Sequence, residues 1–147
     1  MFRRLLFSIA AALTITALAG SAVFADSVHT VGTPTASVSG NSATFTASVA
    51  GLGNASSATL SLEGTITVSS RCYTKSGNKP QAANKQETIG VNDTENFPVR
   101  NGRTNATFTV SPVSTLTCPG GQHVVIESFT YDLDLVYQGS TIYTFHS

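Results

Sequence analysis

The sequence has little charge and few of the residues that usually mark a reactive site. It contains no tryptophan, one methionine and two cysteines, and 11% of its 147 residues are charged. Because soluble domains usually carry about 25% charged residues, this content excludes charge-driven disorder and disfavours a nucleic-acid-binding surface. Serine and threonine become the main polar residues, while 41% of the chain is hydrophobic. The length fits one compact domain, with or without a processed leader.

The first 25 residues have the three parts of a secretory signal peptide. Arg3 and Arg4 precede an apolar run, which ends in small residues before the predicted cleavage between Ala25 and Asp26. The run is short for a membrane-spanning helix, which needs about 20 residues, so a retained anchor is the alternative that we favour less. The sequence therefore predicts a secreted, extracellular product without stable membrane insertion.

The two cysteines, Cys72 and Cys118, predict one disulfide. Cysteines of an exported chain are usually oxidised, and two of them allow a single intramolecular connectivity. Two buried free thiols are the alternative. A zinc site is disfavoured, because two cysteines without nearby histidine or cysteine partners do not complete a tetrahedral shell. We therefore expect one disulfide and no metal or other cofactor.

Apolar and polar residues alternate with a period of two over most of the chain, which predicts β-strands. The alternation is unbroken over 58–72, which predicts either one long strand or two strands bent at Gly64, with Cys72 on the buried face. Turn-forming residues divide the chain into about eight such runs. The prediction is an all-β fold, an antiparallel β-sandwich of immunoglobulin-like general shape over 34–147, preceded by a flexible segment at 26–33.

The second half of the chain alternates less regularly than the first. We predict two short strands at 87–92 and 97–100, separated by a turn at 93–96 that is rich in polar residues. A long strand is predicted over 123–137, whose odd-numbered residues from Val125 onward face the core.

The longest predicted connection is a loop over 75–86, which is rich in lysine and asparagine and has no apolar period. All Lys and Arg residues outside the leader lie between residues 71 and 103, so basic charge is concentrated around this loop. Solvated lysines are the plain interpretation, and contact with an anionic surface or a partner is the functional one. The candidate contact residues are Lys75, Asn78, Lys79, Pro80 and Lys85.

No arrangement of residues predicts catalysis. His29, His123 and His146 lack a partnered nucleophile, and the pattern Gly-x-Ser-x-Gly does not occur. Asp132 and Asp134 have the spacing of exposed neighbours on one strand, which fits a solvated sheet edge better than a glycosidase or calcium site. The sequence therefore predicts a protein that is not an enzyme.

Tyrosine is the aromatic residue best suited to sugar stacking in this chain, because tryptophan is absent. Tyr131 and Tyr137 share the apolar parity of their strand, which predicts positions in or beside the core. Tyr73 and Tyr143 are the candidate exposed aromatics. A carbohydrate-binding module would depend on these two residues.

Two motifs resemble a pattern in small secreted bacterial proteins. The first runs from Cys72 through Gly77-Asn78-Lys79-Pro80 to Gln86, and the second is Cys118-Pro119-Gly120-Gly121. In that group a signal peptide is followed by a cysteine, a Gly-Asn-x-Pro loop and a later Cys-Pro-x-Gly turn. The resemblance covers roughly residues 70–137, and it implies export and a single disulfide but no activity and no binding residues.

The sequence therefore predicts an exported, non-enzymatic β-sandwich that acts as an extracellular or envelope-associated interaction module. Its partner is expected to be a protein or a glycan outside the cytoplasm, and not a nucleic acid. A secreted inhibitor or toxin-like effector that uses the 75–86 loop is the main alternative. A carbohydrate-binding module that uses Tyr73 and Tyr143 is a weaker one.

Overall fold

A computed structural model describes residues 27–78 and 84–147, and the regular elements in these ranges are all β-strands. The seven strands, in chain order, are β1 (His29–Ser39), β2 (Ser42–Ala50), β3 (Ser57–Thr74), β4 (Asn84–Pro98), β5 (Thr104–Val110), β6 (Gln122–Tyr137) and β7 (Ser140–His146). The alternation of apolar and hydroxyl side chains explains this content, because it gives a strand one dry face and one solvated face.

The strands form two antiparallel sheets that pack face to face as a β-sandwich. One sheet has three strands in the order β1-β2-β5, and the other has four in the order β4-β3-β6-β7. The all-β sandwich is therefore confirmed, with seven strands where about eight were predicted. In a seven-stranded immunoglobulin constant domain the fourth strand joins the sheet of the first, second and fifth strands. Here β4 pairs with β3 instead.

The core lies between the sheets and is built from the apolar parity of the central strands. Phe45 of β2 pairs with Phe108 of β5, and both side chains are almost fully buried. Phe45 also packs edge-to-face against Tyr131 and Phe145 of the other sheet, with ring centroids 5.1 and 5.2 Å apart. Aromatic pairs of this kind add about 0.5–1.5 kcal/mol beyond area burial. Tyr131 and Tyr137 pack against the core, as predicted.

β3 is a single strand of 18 residues, and its buried positions follow the predicted parity. Leu60, Leu62 and Cys72 are all 0% exposed. Gly64 lies where β3 passes closest to β6: its φ is +141°, and a Cβ there would stand 2.3 Å from the carbonyl oxygen of Asp132. The strand continues through this point because glycine has no side chain to meet the neighbouring backbone.

β3 is also much longer than the strands that face it, with 18 residues against 9 in β2. Its second half extends beyond the three-stranded sheet and pairs there with the starts of β4 and β6. The inner face of this extension is covered by residues 111–121, the covering segment, which connects β5 to β6 without regular structure. We call residues 69–78, 84–87 and 111–128 the hairpin end, and the rest of the described chain the sandwich half.

β1 begins at His29, inside the segment that was predicted to be flexible. Residues 29–31 pair with residues 48–50 of β2, and this pairing lengthens the antiparallel ladder between β1 and β2. A later start was predicted because Gly32 and Pro34 interrupt the alternation. The strand nevertheless continues through these residues, and its pairing with β2 shifts in register between Val31 and Thr35.

β4 is one strand of 15 residues where two short strands were predicted. Residues 93–96 have the composition of a turn, but each of them pairs with β3 between Thr59 and Leu62. β4 is an edge strand, so polar side chains on it remain solvated. Pairing with β3 therefore outweighs the low strand propensity of these residues.

A β-bulge at Glu127 reverses the faces of β6. β3 and β6 shift register after Ser69, which leaves Glu127 as an extra residue. Val125 pairs with Arg71 on the outer face, and Ile126 packs against the core. The prediction that Val125 faces the core is therefore wrong, because one inserted residue changes the face of every residue before it.

Candidate functional site

One disulfide closes the hairpin end. Cys72 and Cys118 are bonded with their Cα atoms 5.6 Å apart, which confirms the predicted pairing. Cys72 is 0% exposed on the inner face of β3, and Cys118 belongs to the covering segment. The bond therefore holds that segment where the three-stranded sheet does not reach. The bonded cysteines are separated by 46 residues in sequence, and the chain-entropy model gives a loop of this length roughly 4 kcal/mol.

Glu87 is the polar anchor of the covering segment. Its side chain is 12% exposed and accepts hydrogen bonds from the Ser114 hydroxyl at 2.6 Å and from the Thr115 amide at 3.0 Å. Nζ of Lys85 lies 3.0 Å from Oε1 of Glu87. The bonds from Ser114 and Thr115, and then the contact with Lys85, lower the pKa of Glu87 from 4.5 to about 2 because they stabilise the charged form.

Lys85 lies in β4 and not in a loop. β4 begins at Asn84, so the connection between β3 and β4 is shorter than the predicted 75–86. The ammonium group of Lys85 contacts Thr115 and Glu87, which directs it toward the inner side of the sheet. The prediction that Lys85 lies in a loop is therefore wrong, and its side chain helps to hold the covering segment.

A cluster of charged and aromatic side chains lies on the outer face of the hairpin end. The Tyr73 hydroxyl donates to Oε1 of Glu127 at 2.5 Å, and Nε of Arg71 lies 3.3 Å from the other oxygen of this carboxylate. The Tyr73 ring is tilted against that of His123, with ring centroids 6.5 Å apart. The bulge turns Glu127 toward the face that carries Arg71 and Tyr73. Tyr73 therefore lies on the polar face, where it is half-buried.

The connection that follows β3 begins with a compact turn. The Thr74 amide donates to the Asn78 carbonyl at 3.0 Å, and the Asn78 amide donates to the Thr74 hydroxyl at 3.1 Å. Lys75 and Asn78 are exposed on this turn, so both remain candidate contact residues. Lys79 and Pro80, the next candidates along the chain, lie outside the described residues, as does the predicted signal peptide.

Tyr143 is half-buried against the core, so the prediction of an exposed aromatic residue there is wrong. It pairs with buried Leu135 of β6, and its ring packs edge-to-face on Phe145 with centroids 4.9 Å apart. Tyr143 shares sequence parity with Phe145, and this parity was the signal for an inward position. Tyr73 and Tyr143 therefore do not form one stacking surface.

The hairpin end presents groups that suit polar recognition. They are an exposed ammonium, a guanidinium beside a carboxylate, a phenol and an imidazole, supplied by Lys75, Arg71, Glu127, Tyr73 and His123. Such groups make charge-assisted hydrogen bonds, which are about twice as strong as neutral ones. In residues 27–78 and 84–147, no three His, Cys, Asp or Glu side chains converge to hold a metal ion.

Glu87 and Glu127 were not predicted to organise the hairpin end. Glu87 shares the parity of Ile89 and Val91, so a carboxylate next to apolar residues of the inward parity was the available signal. Glu127 follows the run 124–126, in which both parities are apolar. A period of two cannot assign a face to such a run, and the bulge was therefore not predicted.

Comparison with known proteins finds no relative. No protein-family model matches the chain, and neither a curated protein nor a solved structure gives a match. Within the described ranges, no helix has the length and apolar character required to cross a membrane. The disulfide is compatible with an extracellular protein.

Proposed function

We propose that this protein is an exported, non-enzymatic binding module whose target contacts the hairpin end. The observation that supports this proposal is the position of the exposed turn with Lys75 and Asn78, which closely follows disulfide-bonded Cys72. A surface loop that is fixed beside a covalent anchor loses little conformational entropy on binding, which favours affinity. The target is a protein or a glycan outside the cytoplasm.

The composition of the surrounding surface also supports this site. The outer faces of both sheets carry mainly serine, threonine and asparagine, whereas the hairpin end concentrates Arg71, Tyr73 and His123. Arginine and tyrosine are enriched in binding hot spots, and serine and threonine are under-represented there. The hairpin end therefore differs from the hydroxyl surface in the residue types that contribute most to affinity.

Retention of a target on the immobilised protein tests this proposal. The full chain is expressed with its leader, recovered from the culture supernatant and coupled to resin, and then exposed to the producer's envelope and supernatant fractions. The double variant Lys75→Ala, Asn78→Ala should lose retention about tenfold or more, because each change removes a polar contact. The matched control Thr44→Ala, Thr107→Ala truncates two residues on the solvent-facing side of the three-stranded sheet and should retain the target.

Two results would contradict the proposal. One is equal retention by the wild type, the hairpin variant and the control. The other is hydrolysis of chromogenic esters or glycosides by the purified protein. Export is tested on the same material, since the recovered product should begin at Asp26, and a cell-associated protein that keeps Met1 would oppose export.

A secreted inhibitor or toxin-like effector is the second candidate. The compact turn over 74–78 favours it, because inhibitors often present a preformed loop to the cleft of their target. Replacement of Lys79-Pro80 by Gly-Ser should then abolish inhibition while the circular dichroism spectrum stays unchanged. Carbohydrate binding through two tyrosines loses its premise, since Tyr143 packs on the core.

A further inference from the structure

A cleft lined by both polar and apolar residues lies at the other end of the long β3 strand from the hairpin end. Its volume is about 450 Å³, which falls within the range of small-molecule sites. All three strands of the three-stranded sheet contribute to its lining, among others through Val31, Ser48 and Asn105. Arg100 and Arg103, from the connection between β4 and β5, complete the wall.

Arg100 and Arg103 face each other across a two-residue turn. The amide of each donates to the carbonyl of the other, at 2.8 and 3.0 Å. Asn101 and Gly102 between them have φ values of 52° and 70°, which are typical of a type I′ turn. Residues in such a hydrogen-bonded pair have Cα atoms about 5.5 Å apart and side chains on the same face. The two arginine side chains therefore leave the backbone side by side.

The backbone of this turn is fixed from behind. The Leu52 amide donates to the Gly102 carbonyl at 3.1 Å, and the buried Thr104 hydroxyl donates to the Pro98 carbonyl at 2.8 Å. A Cβ on Gly102 would stand 3.2 Å from the carbonyl oxygen of Gly53, so the turn lies directly on the preceding loop. The two arginines therefore cannot separate by a backbone movement without breaking these contacts.

Like charges on two directly opposite residues repel each other, and an anionic ligand relieves that repulsion. None of the ion pairs in the described ranges involves Arg100 or Arg103. Oδ1 of Asn105 accepts the Ser48 hydroxyl at 2.7 Å, which leaves the NH2 group of Asn105 as a donor. The lining residues therefore combine positive charge with N–H donors and include no carboxylate.

We propose that this cleft binds a small oxyanion, a carboxylate, sulfate or phosphate that is free or carried by a sugar, between Arg100 and Arg103. Guanidinium groups hold such anions through bidentate, charge-assisted hydrogen bonds. Asn105 supplies a further donor, and Val31, which is 37% exposed, offers an apolar contact to the body of a ligand. The site is separate from the hairpin end and does not depend on the function proposed there.

Thermal unfolding of the full secreted chain in the presence of anions tests the site. Sodium sulfate, sodium phosphate and oligogalacturonate are compared with sodium chloride at equal ionic strength, because a ligand of the folded state raises the unfolding temperature. Arg100→Gln and Arg103→Gln should each weaken binding about tenfold or more, since each removes charge-assisted hydrogen bonds. Lys75→Gln removes one positive charge at the hairpin end and should leave binding unchanged.

Sulfate and phosphate stabilise many proteins by exclusion from the surface. The decisive quantity is therefore how much more an anion raises the unfolding temperature of the wild type than that of the arginine variants. At low ionic strength without added anion, both arginine variants should be at least as stable as the wild type, since the repulsion is gone. Equal anion effects in the wild type and both variants would overturn the proposal, and so would an equal loss in Lys75→Gln. A larger effect of oligogalacturonate than of the inorganic anions assigns the oxyanion to an acidic sugar, and the reverse assigns it to a free anion.

Discussion

The sandwich half and the hairpin end share three strands but are stabilised by different means. In the sandwich half, the inner face of the four-stranded sheet packs on a second sheet through buried side chains such as Phe45 and Leu62. At the hairpin end, the same face meets the covering segment, which one disulfide and the hydrogen bonds of Glu87 hold in place. Apolar packing is therefore replaced by a few directional attachments.

This difference shows how one sheet can serve both stability and contact. The stabilisation from apolar burial is roughly proportional to the buried area, so it needs a large matching surface. A disulfide and a carboxylate instead fix a segment at two points. Ser70 at the hairpin end reveals a cost: its hydroxyl is buried, and it has no hydrogen-bond partner among the described residues. An unsatisfied buried group of this kind costs about 1–3 kcal/mol. The hairpin end gives up some stability and keeps an exposed, fixed turn.

The largest effect is expected from removing packing that only the sandwich half has. Phe45→Ala deletes a buried ring that contacts Tyr131 and Phe145, and such changes lower the free energy of unfolding by about 3–5 kcal/mol. Urea unfolding followed by tyrosine fluorescence measures the loss. Phe45→Leu keeps most of the volume and gives a folded reference if the alanine variant does not fold. A loss below about 1 kcal/mol for Phe45→Ala would contradict the claim that buried side chains such as Phe45 stabilise the sandwich half.

The next effect concerns the covalent attachment of the hairpin end. The double variant Cys72→Ala, Cys118→Ala should lose about 2–4 kcal/mol of unfolding free energy, because the unfolded chain regains loop entropy. Amide hydrogen exchange should show the loss of protection first at Cys72 and its neighbours in β3, with β2 still protected. Simultaneous loss of protection in β2 and in the second half of β3 would show that the two regions unfold as one unit.

A smaller effect, which depends on pH, is expected from the polar attachment. The pKa of Glu87 lies at about 2 in the folded protein against an ordinary 4.5, so its contribution is complete above pH 4.5 and is lost as the pH falls toward 2. Glu87→Gln should be less stable than the wild type at pH 7, and its stability should fall less between those two pH values. Urea midpoints across that range measure both.

The matched control for this prediction is Glu95→Gln. Glu95 lies on the same strand as Glu87, and its side chain makes no hydrogen bond to the covering segment within the described ranges. This variant should keep the acid dependence of the wild type. The prediction is wrong if Glu95→Gln removes the acid dependence of stability and Glu87→Gln retains it.

The smallest effect is expected on the outer faces of the two sheets, which should respond alike. Thr44 pairs with Thr109 on the three-stranded sheet, and Thr67 pairs with Thr88 next to the hairpin end, with hydroxyl oxygens 3.4 and 3.1 Å apart. Both pairs are solvent-facing, so Thr44→Ala and Thr67→Ala should each change the free energy of unfolding by about 0.5 kcal/mol or less. A much larger loss for one of them in urea unfolding would show that its hydroxyl row stabilises the sheet.

The sequence was sufficient for features that depend on an unbroken period of two. The parity of Leu60, Leu62 and Cys72 predicted the buried face of β3, and the presence of only two cysteines left a single disulfide pairing. Both inferences use local information, because a strand residue's face follows from its position in the alternation. The same parity also predicted correctly that Tyr131 lies against the core.

The remaining features depend on contacts between distant residues. The bulge at Glu127 arises from pairing of β6 with β3, and residues 93–96 extend as a strand only because β3 lies beside them. The face of Lys85 follows from Glu87 and the covering segment, which lie together only in the folded chain. The disulfide beside the candidate site therefore follows from the sequence, but the side chains around it do not, since tertiary pairing decides which side chains reach solvent.

β4 leaves a long edge of the four-stranded sheet open. Exposed edges of this kind recruit strands from other molecules and can start fibrils. Asp93 and Glu95 lie opposite the buried residues Leu62 and Leu60, so both carboxylates point toward the core side of the edge. An incoming strand that extended the sheet past β4 would bury these charges, which is strongly unfavourable. The placement of two acidic residues thus protects a hydroxyl-coated, weakly charged protein from self-assembly wherever its concentration is high.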